Sequence, residues 1–219
     1  MRPGDEILLF DGQGGEARCR IAEAASRGCV LEVLEAREYG ERRLRRVELA
    51  FSPPKGGRTE TLLQMGTELG CSVFHPIHCQ RTPPQGRSSS KRWARVLQAA
   101  AGQSGARWLP RLTAPCKLSA FLEEVLDPFD GERWLASPGQ DPGSAPRPPL
   151  ELPPALVLVG PEGDFSPEEH EILRARGCEL LPLGPQILRV ETACTAALTR
   201  LLLAPPAWPG DSPTPESLP

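Results

Sequence analysis

Residues 155–169 specify a strand, a tight loop and a helix start in direct succession. Ala155 to Val159 are all apolar, which is typical of a parallel strand buried on both faces. The loop Gly160-Pro161-Glu162-Gly163 follows, and Ser166-Pro167 with Glu169 has the pattern of a helix cap, a first-turn proline and a capping box. Such a unit favours an α/β domain. Its loop is expected at the carboxyl end of the strand, where open parallel sheets bind ligands.

A second loop of the same kind follows the next predicted strand, Glu179 to Leu183. It begins Leu183-Gly184-Pro185 and leads into a helix that ends near Leu203. Because both loops are expected at one sheet edge, they can form two walls of one pocket. The first loop is surrounded by acidic side chains that would repel a polyphosphate, so the pocket suits a neutral or cationic ligand. These side chains are Glu162, Asp164, Glu168 and Glu169. The alternative interpretation is an ordinary strand-to-helix turn, with Arg189 and Glu191 as a local ion pair.

Positive charge is concentrated in the middle of the chain. The 219 residues carry a net charge of −3, yet residues 37–117 hold 15 basic and 5 acidic side chains, a net +10. A segment of this charge attracts a polyphosphate such as RNA, and we favour nucleic-acid contact over a merely solvated basic face. Arg42, Arg43, Arg45 and Arg46 form a charge run, and its plain interpretation, beside RNA contact, is a solvated hairpin.

Two units follow from the pattern of short strands and helices. Strands are expected at residues 7–10, 17–21, 29–34, 47–51 and 71–77, and helices at 59–69 and 90–101. The early strands predict a small antiparallel barrel or sheet, and the later alternation predicts a mostly parallel sheet. We therefore predict domains at 1–51 and 52–204, a Pro-rich surface loop at 137–154 and a disordered tail at 205–219.

Several classes of protein are disfavoured by the composition. The longest clear apolar run is Ala155 to Val159, too short for a membrane helix, and the first residues do not resemble a secretion signal. Seven cysteines without a C-x-x-C pair are typical of reduced thiols, so a cytoplasmic protein is expected. Cys71, His75, His78 and Cys79 resemble a set of zinc ligands. However, the two histidines are three apart on a predicted strand and point to opposite faces, and no metal site is predicted.

The motifs together resemble the RsmE-type ribosomal RNA methyltransferases. Those that carry the resemblance are Leu-Val-Gly-Pro-Glu-Gly (158–163), Ser-Pro-Glu-Glu (166–169) and Leu-Gly-Pro-Gln-Ile-Leu-Arg-Val-Glu-Thr-Ala (183–193). Shorter matches, such as Pro54-Lys55-Gly56 and Gln80-Arg81, extend it over about residues 2–204. The resemblance implies a SPOUT-type α/β knotted methyltransferase domain, threaded as a trefoil knot, beside a small, N-terminally shortened PUA-like β-barrel. It also implies a homodimer that uses S-adenosylmethionine to methylate N3 of a uridine in 16S ribosomal RNA or the 30S subunit.

Site residues are assigned on this resemblance. Those expected to bind the cofactor, mainly through backbone and apolar contacts, are Val159, Gly160, Pro161, Gly163, Leu183, Gly184, Pro185, Ile187, Leu188 and Thr192. Those expected on the RNA are Arg81, Arg92, Arg95, Gln103 and Arg107. Glu162 and Arg189 are the candidates near the reacting centre. Methyl transfer needs a deprotonated N3 in line with the methyl group, and a neighbouring cation favours the uridine anion.

Departures from the family pattern keep a second hypothesis open. The family usually has Lys at Met65, Glu at Gly102, Arg at Ala106, Gly at Asp164 and Arg at Gln186. Lost charges on the substrate side favour an RNA-binding or ribosome-assembly protein that keeps the fold without catalysis. For the homodimer, we expect apolar surface on the last helix to lie in the interface. The residues concerned are Ala196, Ala197, Leu198, Leu201 and Leu202.

Overall fold

A computed structural model describes residues 2–25, 28–40, 45–84, 90–139 and 152–203. Arg42, Arg43, most of the predicted Pro-rich loop and the predicted tail lie outside the described residues. Within them, no helix combines the length and the apolar character that crossing a membrane requires.

The N-terminal unit is an antiparallel sheet of three strands, β1 (Glu6–Phe10), β2 (Gly15–Ala25) and β3 (Gly28–Glu38). One face buries Cys19 and Ile21, and the other is charged. On the charged face, Arg20 lies between Glu6 at 3.2 Å and Glu32 at 3.4 Å, because residues opposite each other in adjacent strands share a face. All three strands are longer than predicted.

A parallel sheet forms the second unit, in the order β10-β8-β9-β4-β5-β6. Its strands are β4 (Val47–Phe51), β5 (Val73–His78), β6 (Arg111–Leu112), β8 (Glu132–Ser137), β9 (Ala155–Val159) and β10 (Glu179–Pro182), and β7 (Cys116–Lys117) pairs with the end of β5. All pairings are parallel, which confirms the predicted sheet. The bounds of β9 agree with the prediction residue for residue.

Helices cover both faces of this sheet. They are α1 (Arg58–Leu69), α2 (Ser90–Ser104), α3 (Leu118–Phe121), continued by a π-helical turn at Leu122–Leu126, α4 (Pro167–Ala175) and α5 (Val190–Leu202). Alternate residues of a strand enter different cores: Leu49 packs towards α1 and α5, whereas Ala50 packs towards α3 and α4. The α/β class predicted from the sequence is confirmed.

The sequence placed residues 47–51 with the N-terminal strands, and this is wrong. Strand β4 pairs with β5 and β9 in the middle of the parallel sheet, so the boundary between the units falls before it. Glu48 interrupts the apolar run and suggests an exposed face, but its carboxylate is buried against His75 and Arg46. A buried charge with two partners is compatible with a central strand.

The interpretation of the basic run as a solvated hairpin is wrong for Arg45. This side chain is 2% exposed, lies 2.5 Å from Glu132 and donates to the carbonyl oxygen of Pro153 at 2.7 Å. Trp134 also donates to Glu132. Arg45 therefore joins the start of β4 to the start of β8.

The apolar side of α5 is covered by this chain itself. Ala197, Leu198, Leu201 and Leu202 are buried in the core beside α1 and β4, and Ala196 is half-buried. The four buried residues are unavailable to another subunit, so the physical argument that placed them in a dimer interface is wrong. A single parallel sheet with helices on both faces already provides the missing cover.

Candidate functional site

A cavity of about 340 Å³ lies at the carboxyl ends of β8 and β9, beside the loop that follows β10. The residues expected to bind a cofactor that line it are Val159, Gly160, Pro161, Gly163, Leu183, Ile187 and Leu188. Gly184, Pro185 and Thr192 are not among its described lining residues. The two Gly-Pro loops are thus two walls of one cavity, as predicted, while binding by each residue stays a prediction.

A third wall was missed by sequence reasoning. Ala136, Ser137 and Pro138, at the end of β8, line the cavity. Gly139 and Gly184 exchange two backbone hydrogen bonds of 2.7 and 2.9 Å, which tie this wall to the second loop. Gly184 has φ 107°, a conformation that favours glycine. Strand β8 carries Glu, Arg and Trp rather than a continuous apolar run, so its sequence contained no clear signal.

The first loop leads directly into α4, as the sequence predicted. Ser166 accepts from the Glu169 backbone N–H at 3.2 Å, and the Glu169 carboxylate accepts from the Ser166 N–H at 2.9 Å, completing the capping box. Phe165 is fully buried beneath the loop. A β-carbon on Gly160 would lie 2.9 Å from the Phe165 ring, so close packing requires glycine here.

Asp164 has φ 61° and is the one non-glycine residue with a positive φ in the part of the chain that the structure describes. This left-handed backbone disfavours a side chain. The Asp164 carboxylate accepts from the Phe165 N–H at 2.8 Å and lies 3.1 Å from His170. A glycine, which the resemblance leads us to expect here, would adopt the same φ without these contacts.

Arg81 crosses from the turn after β5 to the first loop. Its guanidinium donates to the carbonyl oxygen of Gly163 at 2.7 Å and approaches that of Phe165 at 3.5 Å. The backbone N–H of Gln80 donates to Glu169 at 2.8 Å. Arg81 was predicted to bind RNA, and that role stays a prediction for a side chain that already binds the loop.

Glu162 lies on the cavity wall and forms an ion pair with Arg58 at 2.6 Å. Arg58, in the first turn of α1, also donates to the Lys55 carbonyl oxygen. It was not recognised from the sequence, although it follows the Pro54-Lys55-Gly56 motif. The pKa of Glu168 is lowered by the hydrogen bond from the Ser166 hydroxyl and, more weakly, by the charge of Arg81. The positive charges of Arg58 and Arg81 thus partly balance the negative charge around this loop.

Arg189 occupies the N-cap position of α5 and is exposed, next to the cavity-lining residue Val190. Its guanidinium has no ion pair or hydrogen bond with any described residue. The alternative of a local Arg189–Glu191 ion pair is therefore not found. One carboxylate oxygen of Glu191 is buried and lacks a hydrogen-bond partner among the residues described.

Three of the predicted RNA-binding residues lie on α2. Arg95 and Gln103 are exposed, and Arg92 is exposed while it contacts Glu60 at 3.0 Å. Arg107 lies elsewhere, in the joint between the two units, where it contacts Glu16 at 2.9 Å and stacks 3.9 Å above the Tyr39 ring. Arg92, Arg95 and Gln103 thus share the exposed face of α2, whereas Arg107 lies apart from them, between the two units.

The histidines and cysteines considered as metal ligands have other surroundings. His75 is buried and contacts Glu48 at 2.7 Å. Burial, reinforced by the charge of Glu169, raises the pKa of the Cys79 thiol to about 12, so this thiol is neutral near pH 7. Within the described ranges, no three histidine, cysteine or acidic side chains are grouped to hold a metal ion.

Comparisons with known proteins match both units of the chain to RNA methyltransferases. Residues 41–202 match the family of RNA methyltransferase domains, and residues 1–34 match the RNA methyltransferase PUA domain. The ribosomal RNA small subunit methyltransferase E of Synechocystis sp. is 33% identical over 206 residues, covering 92% of this chain and 67% of the relative. That of Bacillus subtilis is 29% identical, covering 92% of this chain and 82% of the relative.

Solved structures extend the comparison to the fold and the cofactor. The methyltransferase E of Neisseria gonorrhoeae, bound to S-adenosylmethionine, aligns with a TM-score of 0.80 at 26% identity, covering 92% of this chain and 84% of that one. A methyltransferase of Legionella pneumophila in complex with the same cofactor aligns with a TM-score of 0.77 at 27% identity, with the same coverage.

Proposed function

This chain belongs to the family of ribosomal RNA small subunit methyltransferases E, and we propose that it transfers a methyl group from S-adenosylmethionine to N3 of a uridine in 16S ribosomal RNA. The SPOUT-type fold implied by the sequence resemblance is thereby confirmed. The observation that carries the proposal is the cavity walled by both Gly-Pro loops, in a chain whose structural relatives were crystallised with this cofactor.

The cavity fits the cofactor by its chemistry. S-adenosylmethionine supplies an electrophilic methyl group on a positively charged sulfur and carries no phosphate. Val159, Leu183 and Leu188 offer apolar contacts, and the loop backbone offers polar ones. Glu162 and Asp164 provide negative charge at the wall. A phosphate-bearing cofactor would meet repulsion at the same place.

The substrate side supports a role for Arg189. N3 of uridine must lose its proton before it attacks the methyl group, and a nearby cation stabilises the resulting anion. Arg189 is exposed at the start of α5, beside the cavity, with its guanidinium unengaged by the described residues. We place it as the cation for the uridine and Glu162 as the acidic group nearest the cofactor.

The face of α2 is proposed to bind the ribosomal RNA or the 30S subunit. Arg92, Arg95 and Gln103 are exposed along it, within the segment of net charge +10. RNA binding through such a face depends on salt because each phosphate contact releases counterions. We also propose a cytoplasmic location, because the proposed substrate, ribosomal RNA, is found there.

A homodimer is proposed with a different interface from the one first expected. Ile187 is 88% exposed at the cavity wall, and Leu188 beside it is half-buried. The dimer itself rests on the family resemblance, and the exposed Ile187 marks a place at the site for a second copy to cover. A second copy meeting this loop would provide that cover without the buried residues of α5.

The alternative function, RNA binding without catalysis, is favoured by one observation. Gln186 lines the cavity where the family usually has Arg, so a positive charge is missing at the site itself. Met65, which replaces a Lys, is half-buried, with the Thr195 hydroxyl 3.9 Å from its sulfur. Gln186 lies on the second loop at the cavity, whereas Met65 lies on α1 against α5.

Transfer of a labelled methyl group distinguishes the two functions. The full chain is incubated with labelled S-adenosylmethionine and either protein-free 16S RNA or 30S subunits, and the modified base is identified by mass spectrometry. We expect label in a 3-methyluridine, reduced at least tenfold by Arg189→Ala and unchanged by Arg174→Ala, an exposed arginine of α4. Binding of cofactor and RNA without any transfer would instead establish the alternative.

A further inference from the structure

We propose that Arg81 is a positioning residue that holds the 160–165 loop in its cofactor-receiving shape by binding the carbonyl groups on both sides of Asp164. This inference rests on the proposed function and names how the chain maintains that site. The guanidinium donates to the Gly163 oxygen at 2.7 Å and reaches the Phe165 oxygen at 3.5 Å. These two carbonyl groups belong to the residues before and after Asp164, whose backbone is left-handed.

The loop benefits from such support because its backbone costs more with Asp164 than it would with glycine. Asp164 has φ 61°, a left-handed conformation that aspartate adopts more often than most residues with a side chain but less readily than glycine. Local contacts contribute: the Asp164 N–H donates to the Pro161 oxygen at 2.9 Å, and its carboxylate accepts from the Phe165 N–H. These two contacts lie within the loop and move with it. From outside the loop, His170 of α4 lies 3.1 Å from the Asp164 carboxylate, and Arg81 binds the loop backbone itself.

The turn that carries Arg81 is itself fixed. The Thr82 hydroxyl accepts from the Cys79 N–H at 2.7 Å and lies 2.8 Å from the Ser52 hydroxyl. The Gln80 N–H donates to Glu169 in the capping box of α4. The turn is thus tied to the ends of β4 and β5 and to the start of α4, so Arg81 has a rigid base.

The contact also depends on the shape of the arginine. A β-carbon on Gly163 would lie 3.5 Å from Cδ of Arg81, so the aliphatic part of Arg81 runs along the glycine. Both contacts are made by Nη1, which carries two N–H donors, and the planar guanidinium holds them in a fixed direction. A lysine side chain is one bond shorter and its ammonium is not held in a plane, so it would reach the two oxygens less well.

Cofactor affinity tests the inference. Calorimetry with S-adenosylmethionine is done on the full chain and on Arg81→Ala, Arg81→Lys and Arg174→Ala, whose residue lies at the far end of α4. We expect about tenfold weaker binding for Arg81→Ala, an intermediate loss for Arg81→Lys and no loss for Arg174→Ala. The thermal stability of the four ligand-free proteins should differ little. Equal affinity of Arg81→Ala and the natural sequence would overturn the inference, and so would a loss confined to RNA affinity.

A double-mutant cycle with Asp164→Gly separates positioning from direct contact with the cofactor. Glycine adopts the left-handed backbone readily, so the loop then needs less support. We expect Arg81→Ala to weaken binding no more than about threefold in the Asp164→Gly background. An unreduced, tenfold loss there would show that Arg81 acts on the cofactor itself and contradict the positioning role.

Amide hydrogen exchange measures the support of the loop by Arg81 without any cofactor. It therefore tests this inference independently of the proposed function. The amides of Asp164 and Phe165 should exchange several times faster in Arg81→Ala than in the natural sequence. Unchanged exchange contradicts the inference. If the natural sequence fails to bind S-adenosylmethionine, the proposed function is overturned, and the exchange rates alone decide the role of Arg81.

Discussion

Glu162 and Arg58 form an ion pair of 2.6 Å that links the first loop, which follows β9, to the first turn of α1. Both side chains are partly exposed, so the pair contributes little to stability. Its consequence is electrostatic, because Arg58 balances an acidic group on the wall of the cavity that we propose binds the cofactor.

Removing either member should change the preference between the charged cofactor and its neutral product. Glu162→Gln removes the negative charge that attracts the sulfonium. Arg58→Ala removes the positive charge that partly cancels Glu162, so the attraction grows. We expect the ratio of the Kd of S-adenosylmethionine to that of S-adenosylhomocysteine to rise about two- to fivefold in Glu162→Gln and to fall in Arg58→Ala. Calorimetry at low and high salt measures both ratios. A shift in the same direction in both variants would exclude this role of the pair.

The two loop glycines should respond differently to the same substitution. A β-carbon at Gly160 would lie 2.9 Å from the buried Phe165 ring, whereas one at Gly163 would make an ordinary 3.5 Å contact with Arg81. Gly160→Ala should therefore cost about 1–3 kcal/mol of stability and abolish the rise in Tm that S-adenosylmethionine produces. Gly163→Ala should keep that rise. Identical behaviour of the two variants would show that close packing under the loop does not shape the cavity.

Arg107 should affect RNA affinity without acting as a phosphate contact. Its side chain is engaged by Glu16 and Tyr39, and its carbonyl oxygen accepts from the Gly14 N–H at 3.2 Å. Arg107→Ala should loosen the N-terminal sheet and weaken binding to 16S RNA while leaving the salt dependence unchanged. Arg95→Ala, on the exposed face of α2, should reduce the slope of log K against log salt by about 0.7–0.9.

Binding titrations at several salt concentrations compare the two arginine variants directly. A decrease of the slope in Arg107→Ala as large as that in Arg95→Ala would mean that Arg107 touches phosphate in the complex.

Glu48 should make the stability of the parallel sheet depend on pH in the acid range. Burial acts to raise the pKa of Glu48, but hydrogen bonds with His75 and Arg46 outweigh it, so this pKa lies below the ordinary 4.5. Because the folded pKa is lower than the unfolded one, the stabilisation is complete above pH 4.5 and is lost as the pH falls through the folded value. Glu48→Gln should be about 1–3 kcal/mol less stable at pH 7, and the difference should shrink below pH 4.5.

Urea unfolding from pH 7 to pH 3 measures this difference, with Glu171→Gln as the control because Glu171 is an exposed carboxylate of α4. A constant difference over the whole range would mean that the Glu48 carboxylate is not the group that titrates.

Local sequence was sufficient for the unit that carries the first loop. The apolar run of β9, the cap at Ser166 and the capping box with Glu169 agree with the structure. Gly70 likewise ends α1 with φ 91°. These features depend on interactions within three or four residues, whose geometry the residue types largely determine. Two successive loops of this kind were enough to predict one pocket and, with their motifs, the family.

Tertiary structure alone decided which residues distant in sequence meet, at the site and elsewhere in the sheet. Arg81 and Gly163 are 82 positions apart, and Arg45 and Glu132 are 87 positions apart. No local pattern distinguishes an arginine that will bind a loop backbone or a buried carboxylate from one that faces water. The same holds for the wall formed by Ser137 and for β4, which the sequence pattern assigned to the N-terminal strands. Such placements depend on the order in which strands pair across the sheet, because strand order brings together groups whose separation along the chain carries no signal.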